Sequence, residues 1–238
     1  MIQLNYKFMR LLLILCLLFV SSISVHASQN SEVVSHESYF EHQIQDESLS
    51  EPKTQDELDY QAIYSYIGQI NKNVSSEEAA KIAQCLVDYG KQQQIDPKFA
   101  AAVISHESQF NRRAVSRTGA KGLGQIKDMN FPHLKISDPF DIEQNISGTI
   151  TYLKQMMSHW KERQDQLSLA LASYYKGPGA MKRSEGQMDS ATRRYVSDVL
   201  ASYDRLHQIQ DKLDYNKTTS SSTILGIFFI RCRLFAKE

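Results

Sequence analysis

From Ser75 onward the chain is written almost continuously in the period of the α-helix, which restricts it to a helix-rich fold. Ser75 and Glu78 stand at capping-box spacing, and Ala79, Ile82, Ala83, Leu86 and Val87 follow on one helical face. Asp96-Pro97 is a second start, a cap residue followed by proline at the first helical position. Asp141 opens a third helix with the stripe Ile142, Ile146, Ile150, Leu153, Met157 and Trp160. A short apolar helix, Leu167 to Tyr175, stops at Gly177-Pro178-Gly179, and a last one runs from about Asp189 to Ile209 with Tyr195, Val196, Val199, Leu200, Tyr203 and Leu206 inward. The expected domain, residues 60–210, has the size of a single ordinary domain.

The ends of the chain read differently. Residues 1–27 have the form of a signal peptide: Lys7 and Arg10, then the apolar run Leu11 to Val20, then Val25-His26-Ala27. The run falls short of the roughly 20 residues a membrane-spanning helix needs, so the expected address is outside the cytoplasm, in the periplasm or cell envelope. Residues 28–59 carry nine acidic residues against Lys53 alone, with too little apolar content for a core, and read as a disordered or loosely helical tether. Residues 211–238 read as a polar linker, Thr218 to Thr223, and a short apolar and basic tail. That tail either dips into a membrane interface or packs on the domain.

The formal net charge of zero conceals this division, because residues 60–238 hold 24 Lys and Arg against 18 Asp and Glu. A mildly basic exported domain fits cell wall or lipid headgroups before nucleic acid. No metal or cofactor is expected. His106, His133, His159 and His207 are scattered, and His106-Glu107-Ser108-Gln109-Phe110 lacks the second histidine of a zinc helix. Cys85 and Cys232 either pair after export or leave a buried free thiol at Cys85.

The residue with the clearest chemical potential is Glu107. It follows Phe99, Ala100, Val103 and Ile104 at helical spacing, so it shares their buried face, and it lies at the helix C-terminus, where the macrodipole is negative. Both surroundings penalise a carboxylate and favour a protonated acid. The alternative is an ion pair with Arg112, Arg113 or Arg117, which would act in the opposite direction. After the helix come Asn111, Ser116, Gly119, Gly122 and Gly124, turn formers that allow the chain to double back and wall a groove beside the acid. Gln125 then offers an amide donor and acceptor.

Together these stretches resemble the soluble-type lytic transglycosylases of the lysozyme-like superfamily. The resemblance rests on Glu107-Ser108, Phe110-Asn111, Ala114-Val115-Ser116, Gly119-Ala120 and Gly122-Leu123-Gly124-Gln125. It continues through Asn145-Ile146 with Gly148, Tyr152-Leu153, Ser173-Tyr174-Tyr175-Lys176-Gly177-Pro178-Gly179 and Tyr195-Val196. It covers about residues 77 to 207. The implied fold is mainly α, a lysozyme-like helical domain with a short turn or hairpin segment after the catalytic helix. The resemblance also implies Glu107 as catalytic acid, with Ser116, Gln125, Tyr174, Tyr175 and Tyr195 as substrate contacts. Three departures stand out: Gly124 where a methionine is common, Lys127-Asp128 around the place of a usual proline, and Tyr175-Lys176 where the family has Asn-Ala. Tyr175 either stacks on a sugar or narrows the groove.

The activity implied is non-hydrolytic cleavage of the MurNAc-GlcNAc bond of peptidoglycan glycan strands, leaving 1,6-anhydroMurNAc ends. An ordinary glycosidase needs a second carboxylate; here the sugar's own 6-hydroxyl would take the place of water. Two other readings stay open: a lysozyme-like muramidase that admits water, and a weakly active or inactive peptidoglycan-binding component of a secretion or conjugation apparatus.

Overall fold

A computed structural model of the protein describes residues 54–235, with side chains described through Tyr215. The expected signal peptide, residues 28–53 of the expected tether, and the side chains of the tail, Cys232 included, lie outside the described residues.

The described chain forms α1 (Gln55–Ile70), α2 (Ser76–Gln93), α3 (Pro97–Ser108), α4 (Phe131–Leu134), α5 (Ile142–His159), α6 (Gln166–Lys176), α7 (Pro178–Arg183) and α8 (Ser190–Phe235). A 3-10 turn, Asp128–Asn130, precedes α4. Among the described residues there is no strand, only antiparallel bridges from Lys121 to Val115 and to Ile126, so the expected mainly helical fold with a small hairpin segment is what forms. The starts fall where their cap residues stand: Ser75 Oγ accepts from Glu78 N–H, Asp96 from Lys98 N–H and Asp141 from Gln144 N–H. Each satisfies a donor that the first turn cannot satisfy internally.

The helix that carries Glu107 is the centre of the packing. Every residue of α3 from Pro97 to Ser105 is buried, and α1, α2, α5 and α8 pack around it. Ala100, Ala101 and Ala102 keep its girth small where these neighbours approach. Fully buried Val103 and Ile104 contribute roughly 1.5–3 kcal/mol each, so the core fixes this helix more firmly than its own propensity does.

Two boundaries differ from the sequence expectation. Residues 55–59, read as the end of the tether, are the first turns of α1, with Thr54 and Glu57 forming a reciprocal capping box. Asp56 and Glu57 sit in the first turn, where the helix dipole favours them. Leu58, Ala62, Ile63, Tyr66 and Ile67 are buried beneath. Asp59 is buried too, and its Oδ1 accepts from Lys98 Nζ at 2.5 Å, Gln210 Nε2 at 2.5 Å and Gln55 Nε2 at 2.9 Å. This buried cluster ties α1 and α8 to the start of α3. At the other end, α8 continues through the expected Thr218–Thr223 linker to Phe235. No proline or glycine interrupts residues 190–225, so nothing in the backbone ends the helix earlier. No helix of the described residues is long and apolar enough to cross a membrane.

Candidate active site

Glu107 is the penultimate residue of α3, where the chain leaves the core. Its helix closes on Gln109 and Phe110, both left-handed at φ 52° and 60°. A left-handed phenylalanine is uncommon. Here its ring is fully buried edge-on to Tyr66, and Asn71 Nδ2 holds the Gln109 carbonyl at 2.8 Å. This abrupt turn sends the following segment back across the helix end.

Among the described residues the Glu107 carboxyl has one hydrogen-bond partner, the Tyr195 hydroxyl, which donates to Oε1 at 2.7 Å. Burial raises its pKa to about 7, against a smaller lowering by that hydrogen bond. The arginine alternative is not what forms among the described residues: Arg112 reaches Glu78 at 3.5 Å and the Phe140 carbonyl at 3.3 Å, and burial and the Tyr195 hydroxyl account for the shift at Glu107. Asp128, the nearest acid in sequence beyond it, is exposed and paired with Lys121 at 2.9 Å. The site therefore holds a single carboxyl that is half protonated near neutral pH.

The returning segment is a compact stack of turns. Ser116 N–H donates to the Ala120 carbonyl, Gly122 N–H to Ala114, and Lys121 and Ile126 exchange backbone hydrogen bonds. Asn145 of α5, almost fully buried, pins this segment from below. Its Oδ1 accepts from Gly124 N–H at 2.8 Å, and its Nδ2 donates to Pro139 O at 2.8 Å and Lys121 O at 3.3 Å. The fit requires glycine: a Cβ on Gly122 would lie 2.1 Å from Pro139 O, and one on Gly124 would lie 2.0 Å from Thr149 Oγ1. Gly124 thus lets the loop sit directly on α5.

Three tyrosines complete the site. Tyr174 donates to the Gly124 carbonyl at 2.6 Å, fastening α6 to the loop. Tyr195, on α8, is buried, with His106 edge-on at 4.8 Å and Tyr175 stacked at 4.7 Å and 20°. Burial first, and the charge of Glu107 second, push both Tyr174 and Tyr195 well above the usual phenol range. Both therefore stay protonated, Tyr195 as donor to the acid and Tyr174 as donor to the loop.

Of the residues named from sequence, Glu107, Tyr174, Tyr175 and Tyr195 form one cluster, and Gln125 and Ser116 belong to the wall. The Gln125 amide nitrogen is engaged by the Ala114 and Gly122 carbonyls, at 3.1 and 2.9 Å, so only its oxygen remains for a ligand. The Ser116 hydroxyl binds within its own turn, accepting from Ala120 N–H at 3.0 Å and Thr118 N–H at 3.3 Å. Its observed contacts are those of a turn residue. Sequence reasoning gave Asn145 no role beyond marking a motif, although a buried asparagine three residues into an apolar stripe is itself a signal. It also missed the ion pair of Lys176 with Asp189. Cys85 is a partly buried free thiol whose pKa burial raises. No group of side chains among the described residues forms a metal site.

A separate cleft of about 830 Å³ opens on another face of α5, lined by residues that include Tyr89, Gln93, His133, Lys135, Glu143 and Thr151. It holds no acid placed like Glu107: Glu143 accepts from Tyr89 at 2.8 Å and Asp141 caps α5.

Comparison with known proteins bears on this arrangement. Residues 84–196 match the family model described as the transglycosylase SLT domain. A membrane-bound lytic murein transglycosylase F of Desulfosudis oleivorans is 37% identical over 93 residues, covering 38% of this chain and 20% of that protein. The protein of the same description from Cronobacter sakazakii is 31% identical over 135 residues, covering 48% of this chain and 26% of that one. The matched parts thus span only about a fifth to a quarter of these relatives' lengths. Among solved structures, the 70 kDa soluble lytic transglycosylase of Escherichia coli aligns over 67% of this chain and 31% of its own, with 22% identity and a TM-score of 0.47.

Proposed function

We propose, on the premise that residues 84–196 are a transglycosylase SLT domain, that this protein cleaves the MurNAc-GlcNAc bond of peptidoglycan without water and leaves 1,6-anhydroMurNAc ends. The observation that carries the reading is the solitary Glu107, half protonated near neutrality and accompanied by Tyr195 rather than by a second acid.

Protonated Glu107 donates to the bridging oxygen as the glycosidic bond breaks, and the leaving sugar departs as an alcohol. The Tyr195 hydroxyl then steadies the carboxylate that remains. That carboxylate removes the proton of the muramyl 6-hydroxyl as its oxygen bonds to the anomeric carbon, which restores the acid. Proton count balances over the cycle, and no water, metal or cofactor takes part. The free Gln125 oxygen is suited to accept the N–H of an acetamido group, and Tyr175, 47% exposed, narrows the approach to Glu107.

This substrate belongs to the cell envelope, and the signal-peptide-like start would deliver the protein to the periplasm. Whether the cutting serves a secretion or conjugation apparatus is part of the same proposal, as is the role of the acidic tether. Digestion of purified sacculi by the protein and by Glu107→Gln tests the reading. Muropeptides with anhydro ends, absent from the Glu107→Gln digest, are expected. Reducing ends instead would make the protein a muramidase, and binding without fragments would make it a structural component.

A further inference from the structure

We propose that the Lys176–Asp189 ion pair is a latch that holds Tyr175 against Tyr195 and so keeps the Tyr195 hydroxyl on Glu107, making Lys176 and Asp189 positioning residues for the acid. The inference deepens the proposed activity and rests on it only for its consequence in turnover.

The two residues bracket an excursion of the chain. Lys176 is the last residue of α6, and Asp189 stands immediately before α8; between them lie Gly177, α7 and a turn. Lys176 Nζ meets Asp189 Oδ2 at 2.7 Å and also lies over the Tyr175 ring, 5.7 Å from its centroid. Tyr175 is in turn stacked on Tyr195. The chain of contacts from ion pair to acid is therefore continuous: Asp189, Lys176, Tyr175, Tyr195, Glu107.

Asp189 divides its two oxygens between two tasks. Oδ1 accepts from Thr192 N–H at 2.8 Å and Thr192 Oγ1 at 2.7 Å, which caps α8, while Oδ2 takes the lysine. The lysine, with the cap, holds the Asp189 carboxyl well below the usual carboxylate range. α8 is the helix that presents Tyr195 one turn further on, so the cap and the latch fix the same helix end. Tyr195 is flanked by His106 of α3 on one contact and Tyr175 of α6 on another. Tyr175 is 47% exposed, and it is the neighbour that the ion pair restrains. Exposed ion pairs contribute little to folding, but a small bias suffices to choose one rotamer of a half-exposed tyrosine.

Lys176 and Asp189 both lie at the surface, so their substitution need not disturb the rest of the fold. Asp189→Asn keeps an oxygen for the α8 cap and removes the charge; Lys176→Met keeps the stem and removes the other charge. The test is the titration of a carbon-13-labelled Glu107 carboxyl by NMR, which needs no substrate and so reads the latch even if the proposed activity is wrong.

With Tyr195→Phe as the reference for a lost hydroxyl contact, each latch variant should move the Glu107 midpoint upward by about 0.3–0.7 of a pH unit, equivalent to a two- to fivefold change in the ionisation constant. Added to Tyr195→Phe, the same substitutions should move it no further, because the contact they act through is already gone. Turnover of glycan should fall by a similar two- to fivefold in kcat with KM little changed. A midpoint that stays put, moves down, or moves equally in the Tyr195→Phe background would overturn the latch. A correct titration with no glycan cleavage would overturn the proposed activity and leave the latch standing.

Discussion

The Tyr195 hydroxyl donates a 2.7 Å hydrogen bond to Glu107 Oε1, joining residues 88 positions apart in sequence. The bond selects for the ionised acid, while burial selects for the neutral one, and burial is the larger influence. A group poised in this way can give a proton and take one back at the same pH. The tyrosine sits on α8 and the acid on α3, and the direct packing of these helices makes the distance a property of the core.

Replacing Tyr195 by phenylalanine removes the donor and leaves the ring packing in place. The Glu107 pKa should then rise above about 7, and the basic limb of the activity profile should move to higher pH with it. Because the bond is to a charge-bearing group, kcat should fall roughly ten- to a hundredfold. A pH–rate series on glycan strands measures both effects.

Glu107→Gln should make the fold more stable, but only above a certain pH. The folded acid keeps its proton up to about 7, whereas in the unfolded chain it is lost near the ordinary glutamate value of about 4.3. Between those values the folded state binds more protons, so wild-type stability falls as pH rises. Below that window both states are protonated and carry no penalty. The stability gain of Glu107→Gln over wild type should grow between about pH 4 and 7 to at most about 4 kcal/mol and then level off. Denaturant unfolding at pH 4, 5.5 and 8 checks the sign.

Gly124→Ala should be poorly tolerated and partly rescued from the far side. The new Cβ would meet Thr149 Oγ1 at 2.0 Å, with Thr149 Cβ and Cγ2 at 3.0 Å, an overpacking expected to cost about 1–3 kcal/mol. Thr149→Ala removes the hydroxyl and a methyl beneath it, so the double substitution should recover a measurable part of the loss in unfolding midpoint. Additive losses would show that the loop does not rest on α5 as described.

Much of this was legible in the sequence, for reasons that differ by element. The caps at Ser75, Asp96 and Asp141 are local chemistry, and each stands where a helix starts. The placement of Glu107 followed from helical spacing alone, since its neighbours in the stripe are core residues. The start of α1 was not legible. Asp59 looks like one more acid in an acidic stretch, and only its partners Lys98 and Gln210, 39 and 151 residues away, make it a buried group. The loop contacts of Gln125 were hidden for a similar reason: nothing in the sequence shows that the Ala114 and Gly122 carbonyls engage its amide nitrogen. The latch likewise depends on an ion pair between two loop-flanking residues whose separation no periodicity encodes.

The central claim is that a lone Glu107 makes the sugar's own hydroxyl, and not water, the nucleophile. Digestion of glycan strands in heavy-oxygen water, followed by mass spectrometry of the new MurNAc ends, tests it most directly. The account predicts 1,6-anhydro ends that carry no heavy oxygen. Reducing ends labelled with oxygen from the solvent would contradict it.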